Sequence, residues 1–150
     1  MADLVAWVEQ GVEPPPSTNY EWSDDGRLSL APTADERGGL QAVVELTVQG
    51  RDRARVGVGD EVQFELSATM ATGRGSVVAI EWDFDGSGQF AVTETALGEP
   101  TTAVMTTRAH VFGEAGVYFP VARVWSQREP GRQGELFRVA NLGRVRIVVT

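Results

Sequence analysis

From Gln41 onward, apolar and polar residues alternate with a period of two. In "EVQFELSAT", Val62, Phe64, Leu66 and Ala68 fall on one side and Glu61, Gln63, Glu65 and Ser67 on the other. That pattern predicts a strand with one face buried and one in water. "QAVVELTV" sets Val44, Leu46 and Val48 against Glu45 and Thr47, and "SVVAIEWDF" sets Val78, Ile80, Trp82 and Phe84 against Ala79, Glu81 and Asp83. "GQFAVTET", "TTAVMTTRAHVF", "GVYFPVARVWS" and "GRVRIVVT" continue the series, with "LGEP" as a breaker. Short strands with turn signals between them predict an all-β sandwich or barrel.

One strand departs from the pattern. "GVYFPVARVWS" is apolar on both faces, with Tyr118, Pro120, Ala122 and Val124 on one and Val117, Phe119, Val121 and Trp125 on the other. A sandwich strand is ordinarily polar outside, so a cover over the second face is expected. Pro120 has no N–H to give a ladder and is expected at an edge or a bulge.

Before Gln41 the period is helical. "MADLVAWVEQ" places Leu4, Val5, Trp7 and Val8 on one face, with Asp3 as N-cap and Gly11 as the stop. A helix so short needs docking, and the doubly apolar strand is expected to be covered by this helix and the proline arm, or by a further domain. The rest of the segment is a connector: Pro14 to Pro16 favour an extended conformation, and "SDDGR" reads as a tight turn. Residues 1–40 are therefore expected as helix and proline-containing arm, and residues 41–150 as the β domain.

The order "VGVGDEVQFELSA", "IEWDFDGSG", "HVFGEAGVYFPVARV" resembles the PKD (polycystic kidney disease) domain over about residues 55–150. Gly59, Val62 and Phe64 match its first motif, Trp82, Asp83, Phe84 and Gly86 its "W-D-F-G-D-G". His110, Phe112, Gly116, Tyr118, Ala122 and Val124 match its "H-x-Y-x-x-x-G-x-Y-x-V-x-L-x-V". The resemblance implies an immunoglobulin-like, PKD-type antiparallel β-sandwich, here with a short N-terminal helix and an extended arm. It makes Trp82, Phe84, Gly86, His110, Gly116 and Tyr118 structural residues. "DFDGSG" departs from "DFGDG", and the segment from Gln127 to Glu135 is longer than the tight loop usual there. The N-terminal "LVAWVEQGVEPPPSTNYEWSDDGRL" resembles the C-terminal tail of tannase- and feruloyl-esterase-like α/β-hydrolases. That likeness implies an upstream hydrolase domain in the same polypeptide.

No catalytic constellation is legible. There is no G-x-S-x-G elbow for a serine nucleophile, and the one histidine, His110, sits on a strand. Glu81 and Asp83 share a strand face and would point in parallel instead of flanking a sugar bond. Asp83, Asp85 and Ser87 offer oxygens at alternate positions, so Ca2+ competes there with a second reading, in which the two acids hold the amides of the turn at Gly86 and Gly88. The expectation is the amides and no cofactor.

Composition narrows the partners. A net charge of -8 disfavours nucleic acid. The basic run "RDRAR" (Arg51 to Arg55) reads as a solvated loop between strands. All basic residues are Arg, and Cys is absent, which removes disulfide and thiolate chemistry. No apolar run reaches the roughly 20 residues of a membrane span, and no signal peptide is legible in the chain. The expected function is a non-catalytic accessory domain, the C-terminal module of a larger secreted bacterial hydrolase, extracellular or periplasmic. The alternative is a stand-alone carbohydrate- or protein-binding module using Tyr20, Trp22 and Trp125 as surface aromatics.

Overall fold

The computed structural model describes residues 2–95, 101–129 and 138–150. The "LGEP" breaker and most of the Gln127–Glu135 segment lie outside the described residues. Two antiparallel layers face each other. The first is β3(Val43–Val48), β5(Glu61–Thr69) and β8(Ala103–Val111), in the order β3-β5-β8. The second is β6(Ser76–Asp83), β7(Val92–Glu94), β10(Val121–Gln127) and β11(Arg138–Arg144), in the order β11-β10-β6-β7.

The second layer is prolonged by β4(Arg53–Val56), β9(Gly116–Tyr118) and β12(Arg146–Val149), in the order β4-β12-β9. β9 and β12 keep the register that β10 and β11 hold, with Tyr118 opposite Ile147 and Val121 opposite Arg144. The two pairs are one long hairpin broken at Pro120, whose carbonyl accepts from the Val145 amide at 3.2 Å. Proline has no N–H to complete the ladder, so the break falls there. The doubly apolar strand is thus two strands.

Phe64, Leu66, Ile80, Trp82, Val124 and Ile147 fill the space between layers. β5 buries Val62, Phe64, Leu66 and Ala68, as its alternation requires. β6 does not keep a single alternation. Trp125 faces Ala79 but Ser126 faces Val77, so Val78 is the extra residue of a β-bulge. The bulge turns Val77 into the core in place of Val78. Two contacts close the long edges. Gly143 on β11 leaves room for Leu46 on β3, where a Cβ would sit 2.8 Å from the leucine Cβ. On the other side Arg108 of β8 meets Glu94 of β7 at 2.7 Å.

Four expectations about chain path are corrected. "RDRAR" is not only a loop: Arg53–Val56 forms β4, parallel to β12, because Ala54 and Val56 bury against the core. "GQFAVTET" contributes only Val92–Glu94, and the last strand begins well before "GRVRIVVT", at Arg138. The connector before Gln41 is not simply extended. It holds the hairpin β1(Tyr20–Trp22) and β2(Leu28–Leu30), turned at "SDDGR" where the Ser23 amide donates to the Arg27 carbonyl and the Arg27 amide to the Ser23 hydroxyl, and the short α2(Ala34–Arg37). α2 carries a capping box between Thr33 and Glu36. Asp35 of α2 accepts the Thr72 amide at 2.6 Å, and the Ser126 hydroxyl donates to the Leu40 carbonyl at 3.0 Å. These bonds fasten the end of the arm to the sandwich.

Helix α1(Ala2–Gln10) forms and stops at Gly11, which has a left-handed backbone and donates to the Trp7 carbonyl. Asp3 lies inside its first turn, not at its cap, and pairs with Arg128 just past β10. Leu4, Val5, Trp7 and Val8 remain exposed, Trp7 by 52%. The helix therefore does not cover the outer side of β9 and β10. That side is occupied over β10 by its own layer of Glu81, Arg123, Trp125 and Phe90, while Val117 and Phe119 of the β9 end stay open to solvent.

Candidate functional site

The "DFDGSG" turn is organised by one buried carboxylate. Asp83 ends β6, buried, with both oxygens turned into the following loop. Its Oδ1 accepts the amides of Gly86 at 2.9 Å and Ser87 at 3.2 Å, and its Oδ2 accepts the amide of Gly88 at 2.6 Å. Gly86 and Gly88 both have positive φ, as three amides converging on one side chain require. Gly86 also allows a close approach: a Cβ there would lie 2.7 Å from the Phe119 carbonyl oxygen.

Asp85 takes no part in this cradle. It is exposed, and its influence reaches His110 as charge alone. The expectation that both acids hold turn amides is corrected to Asp83 only. Ser87 sends its hydroxyl toward Asp83 Oδ1 at 3.4 Å. A cation needs lone pairs aimed outward, whereas those of Asp83 are met by N–H groups. Among the described residues no three His, Asp or Glu side chains stand together as a metal-holding group.

Behind the turn runs an aromatic file. Phe84 stacks on Trp82 (5.7 Å between ring centroids, 12° between planes) and on His110 (4.5 Å, 6°), and lies 5.4 Å from Phe64. His110 meets Phe112 edge-on at 4.7 Å, and Phe112 packs against Tyr118 at 4.5 Å. The Tyr118 hydroxyl donates to the Glu114 carbonyl at 3.1 Å, pinning the turn before β9 as a tyrosine corner does. Gly116 sits against the Tyr118 ring, where a Cβ would be 3.3 Å away. Burial lowers the His110 pKa, and the charge of Asp85 only partly opposes it. Among the described residues this ring stacks on aromatics and no hydroxyl or thiol is bonded to it.

Two glutamates hold matching arrangements on neighbouring strands. Glu81 Oε2 accepts the Trp125 indole N–H and the Arg123 Nε–H, both at 2.6 Å. Glu94 Oε1 accepts the Trp82 indole N–H and the Arg108 Nε–H, both at 2.7 Å. Burial pushes the pKa of each carboxyl up, but the bonds from tryptophan and arginine, with the arginine charge, outweigh it and hold both below the usual carboxylate range. The aromatic-rich pairing was absent from the sequence reading. Its signal was the placement of Glu81, Arg123 and Trp125 on facing outer positions of paired strands.

The three surface aromatics are not brought together. Tyr20 and Trp22 share one face of β1, exposed by 64% and 67%, with Leu30 and Leu28 opposite them on β2. Trp125 stands on β10, half-buried under Glu81 and Arg123, with the Arg123 guanidinium 5.1 Å from its ring.

No family model matches the chain, and no curated protein matches it. Solved structures do. The CARDB domain of a Pyrococcus furiosus protein, solved in complex with di-metal ions, is 19% identical with a TM-score of 0.50, covering 73% of this chain and 89% of that one. A PKD domain of an M14-like peptidase from a Thermoplasmatales archaeon is 14% identical with a TM-score of 0.46, covering 71% and 92%. The fold is an immunoglobulin-like β-sandwich. At these identities the likeness concerns the fold, and it does not bear on the hydrolase-tail resemblance of the first 25 or so residues.

Proposed function

We propose that this immunoglobulin-like sandwich is a non-catalytic accessory or interaction domain, and that it serves as the C-terminal module of an exported hydrolase. The observation that carries the reading is the contrast between the two parts of the chain. In the sandwich, Asp83, Glu81, Glu94, Arg108 and Arg123 are committed to each other, to indoles or to turn amides. In α1, Leu4, Val5, Trp7 and Val8 form an apolar stripe that no described residue covers. A nine-residue helix does not hold itself in water, so that stripe is built to meet another surface. The hydrolase-tail resemblance of the same segment supports an upstream domain as that surface.

The test is an ester- and glycoside-hydrolysis screen of the chain alone, run beside apolar-dye binding. Expected are no turnover and dye binding that falls in a Leu4→Ser/Trp7→Ser variant. Turnover that resides in this chain would overturn the proposal. The stand-alone binding alternative is favoured by one observation, the joint exposure of Tyr20 and Trp22 on one strand face. Retention on insoluble polysaccharide that Trp22→Ala abolishes would decide for it.

A further inference from the structure

The outer side of β4, β12 and β9 is basic, although the protein carries a net charge of -8. Ala54, Val56, Ile147 and Val149 point into the core, so Arg53, Arg55 and Arg146 point out, with Arg53 paired in register to Arg146. Arg144 follows on the same face, its guanidinium 5.7 Å from the exposed ring of Phe119. Arg53 meets only Asp52, its exposed chain neighbour, and Arg55, Arg144 and Arg146 form no ion pair among the described residues. Val117 and Phe119, on and just past the edge strand β9, give this face an apolar flank.

The complementary surface is on the same chain. The hairpin β1–β2 has every residue of both strands exposed. Tyr20, Trp22, Leu28 and Leu30 make one apolar face; Asp24 and Asp25 stand in the turn at its end, Asp25 paired with Arg27 at 3.2 Å, and Glu21 lies on the reverse side. A two-stranded hairpin bare on both sides is marginal in water and gains stability from any surface that covers it. Residues 1–40 as a whole hold eight acidic side chains against Arg27 and Arg37. Hairpin and basic face are attached at different ends of the long β9–β12 hairpin. The arm is fastened at Ser126, near the end of β10, and at Arg128, just past it, whereas Arg144 and Arg146 flank Val145, opposite Pro120.

We infer that the β1–β2 hairpin of one copy docks on the β4–β12–β9 face of a second copy. Trp22 and Tyr20 meet Phe119 and Val117, and the arginines stack on the indole and pair with the acids of its turn. The two surfaces differ, so the contact is heterologous and runs head to tail. This contact is independent of α1 and of any upstream domain.

The experiment is sedimentation of the full chain from micromolar to near-millimolar concentration, in low and in molar salt. The expected result is a mass that rises with concentration in low salt and returns to the monomer in molar salt. Trp22→Ala and the pair Arg55→Glu/Arg146→Glu should each abolish the rise with an unchanged circular dichroism spectrum. Mixing the two variants should restore association but stop it at two chains, since one retains the face and the other the hairpin. A monomer at every concentration would overturn the inference. So would association that survives both variants, or a mixture that stays monomeric. Monomeric protein held on an anionic polysaccharide by the same arginines would also overturn it, by giving the face a different occupant.

Discussion

Trp82 fills the centre of the core and still delivers its indole N–H to Glu94, at 2.7 Å, on the neighbouring strand β7. The same carboxylate oxygen takes Arg108 of β8, so one acid satisfies the core tryptophan and ties the two layers at their edge. Replacing Glu94 by Ala strands the indole donor and frees the layer edge. The expected loss is about 2–3 kcal/mol, read from urea unfolding, with Glu94→Gln losing less because it keeps an acceptor. Equal stability of Glu94→Ala and the parent would show that this tie carries no weight.

Much of this was legible in the chain, and the misses share a cause. Strict alternation in β5 placed Val62, Phe64, Leu66 and Ala68 correctly, because a strand with one wet face records its orientation residue by residue. β6 is covered on both sides, so its run of apolar residues could not reveal the bulge that exchanges Val78 for Val77. β4 was hidden by charge: three arginines and an aspartate outweigh the two small inward residues, Ala54 and Val56. The turn chemistry was half legible. The spacing of acids and glycines foretold the amide cradle, but only burial separates Asp83, which builds it, from Asp85, which does not.

The glutamates set an acid limit on stability. Both Glu81 and Glu94 have folded-state pKa values held below the usual range. A depressed acid contributes stability above its unfolded pKa and loses it as pH falls through its folded pKa. The urea midpoint of the parent should therefore drop on acidification through and below the ordinary carboxylate range. The Glu81→Gln/Glu94→Gln double variant, less stable at neutral pH, should show a shallower drop. Parallel curves would rule out these two groups as its source.

His110 adds a second, higher window. Its pKa is lowered by burial, so the folded state prefers the neutral ring and the unfolded state binds the proton more readily. Its stacking against Phe84 contributes fully above the ordinary histidine value and is lost as pH falls below it towards the folded pKa. His110→Phe, which keeps a flat ring in the file, should flatten the pH dependence in that interval alone. An unaltered profile in the variant would assign the interval to other groups.

Removing α1 tests where the open apolar surface lies. The helix exposes Leu4, Val5, Trp7 and Val8, and the side of β10 it was expected to cover has its own layer of Arg123, Trp125 and Phe90. Deleting residues 1–10 should therefore lower apolar-dye binding and leave the unfolding midpoint within about 0.5 kcal/mol of the parent. Raised dye binding would mean that the helix does shield the sandwich.

The turn after β6 offers the last test, because amides and a cation make opposite demands on Asp83. Its oxygens accept three N–H groups, from Gly86, Ser87 and Gly88, and that arrangement is complete without a metal. Asp83→Ala leaves those amides without their acceptor and should cost about 3 kcal/mol. Gly86→Ala should cost about 2 kcal/mol, since its positive φ and the Phe119 carbonyl both oppose a Cβ. Millimolar calcium should leave the Tm of the parent unchanged, while a bound ion would raise it with concentration. A rise that Asp83→Asn or Asp85→Asn removes would mean that the carboxylates turn outward to a cation, and the amide cradle would then describe only the empty state of a calcium loop.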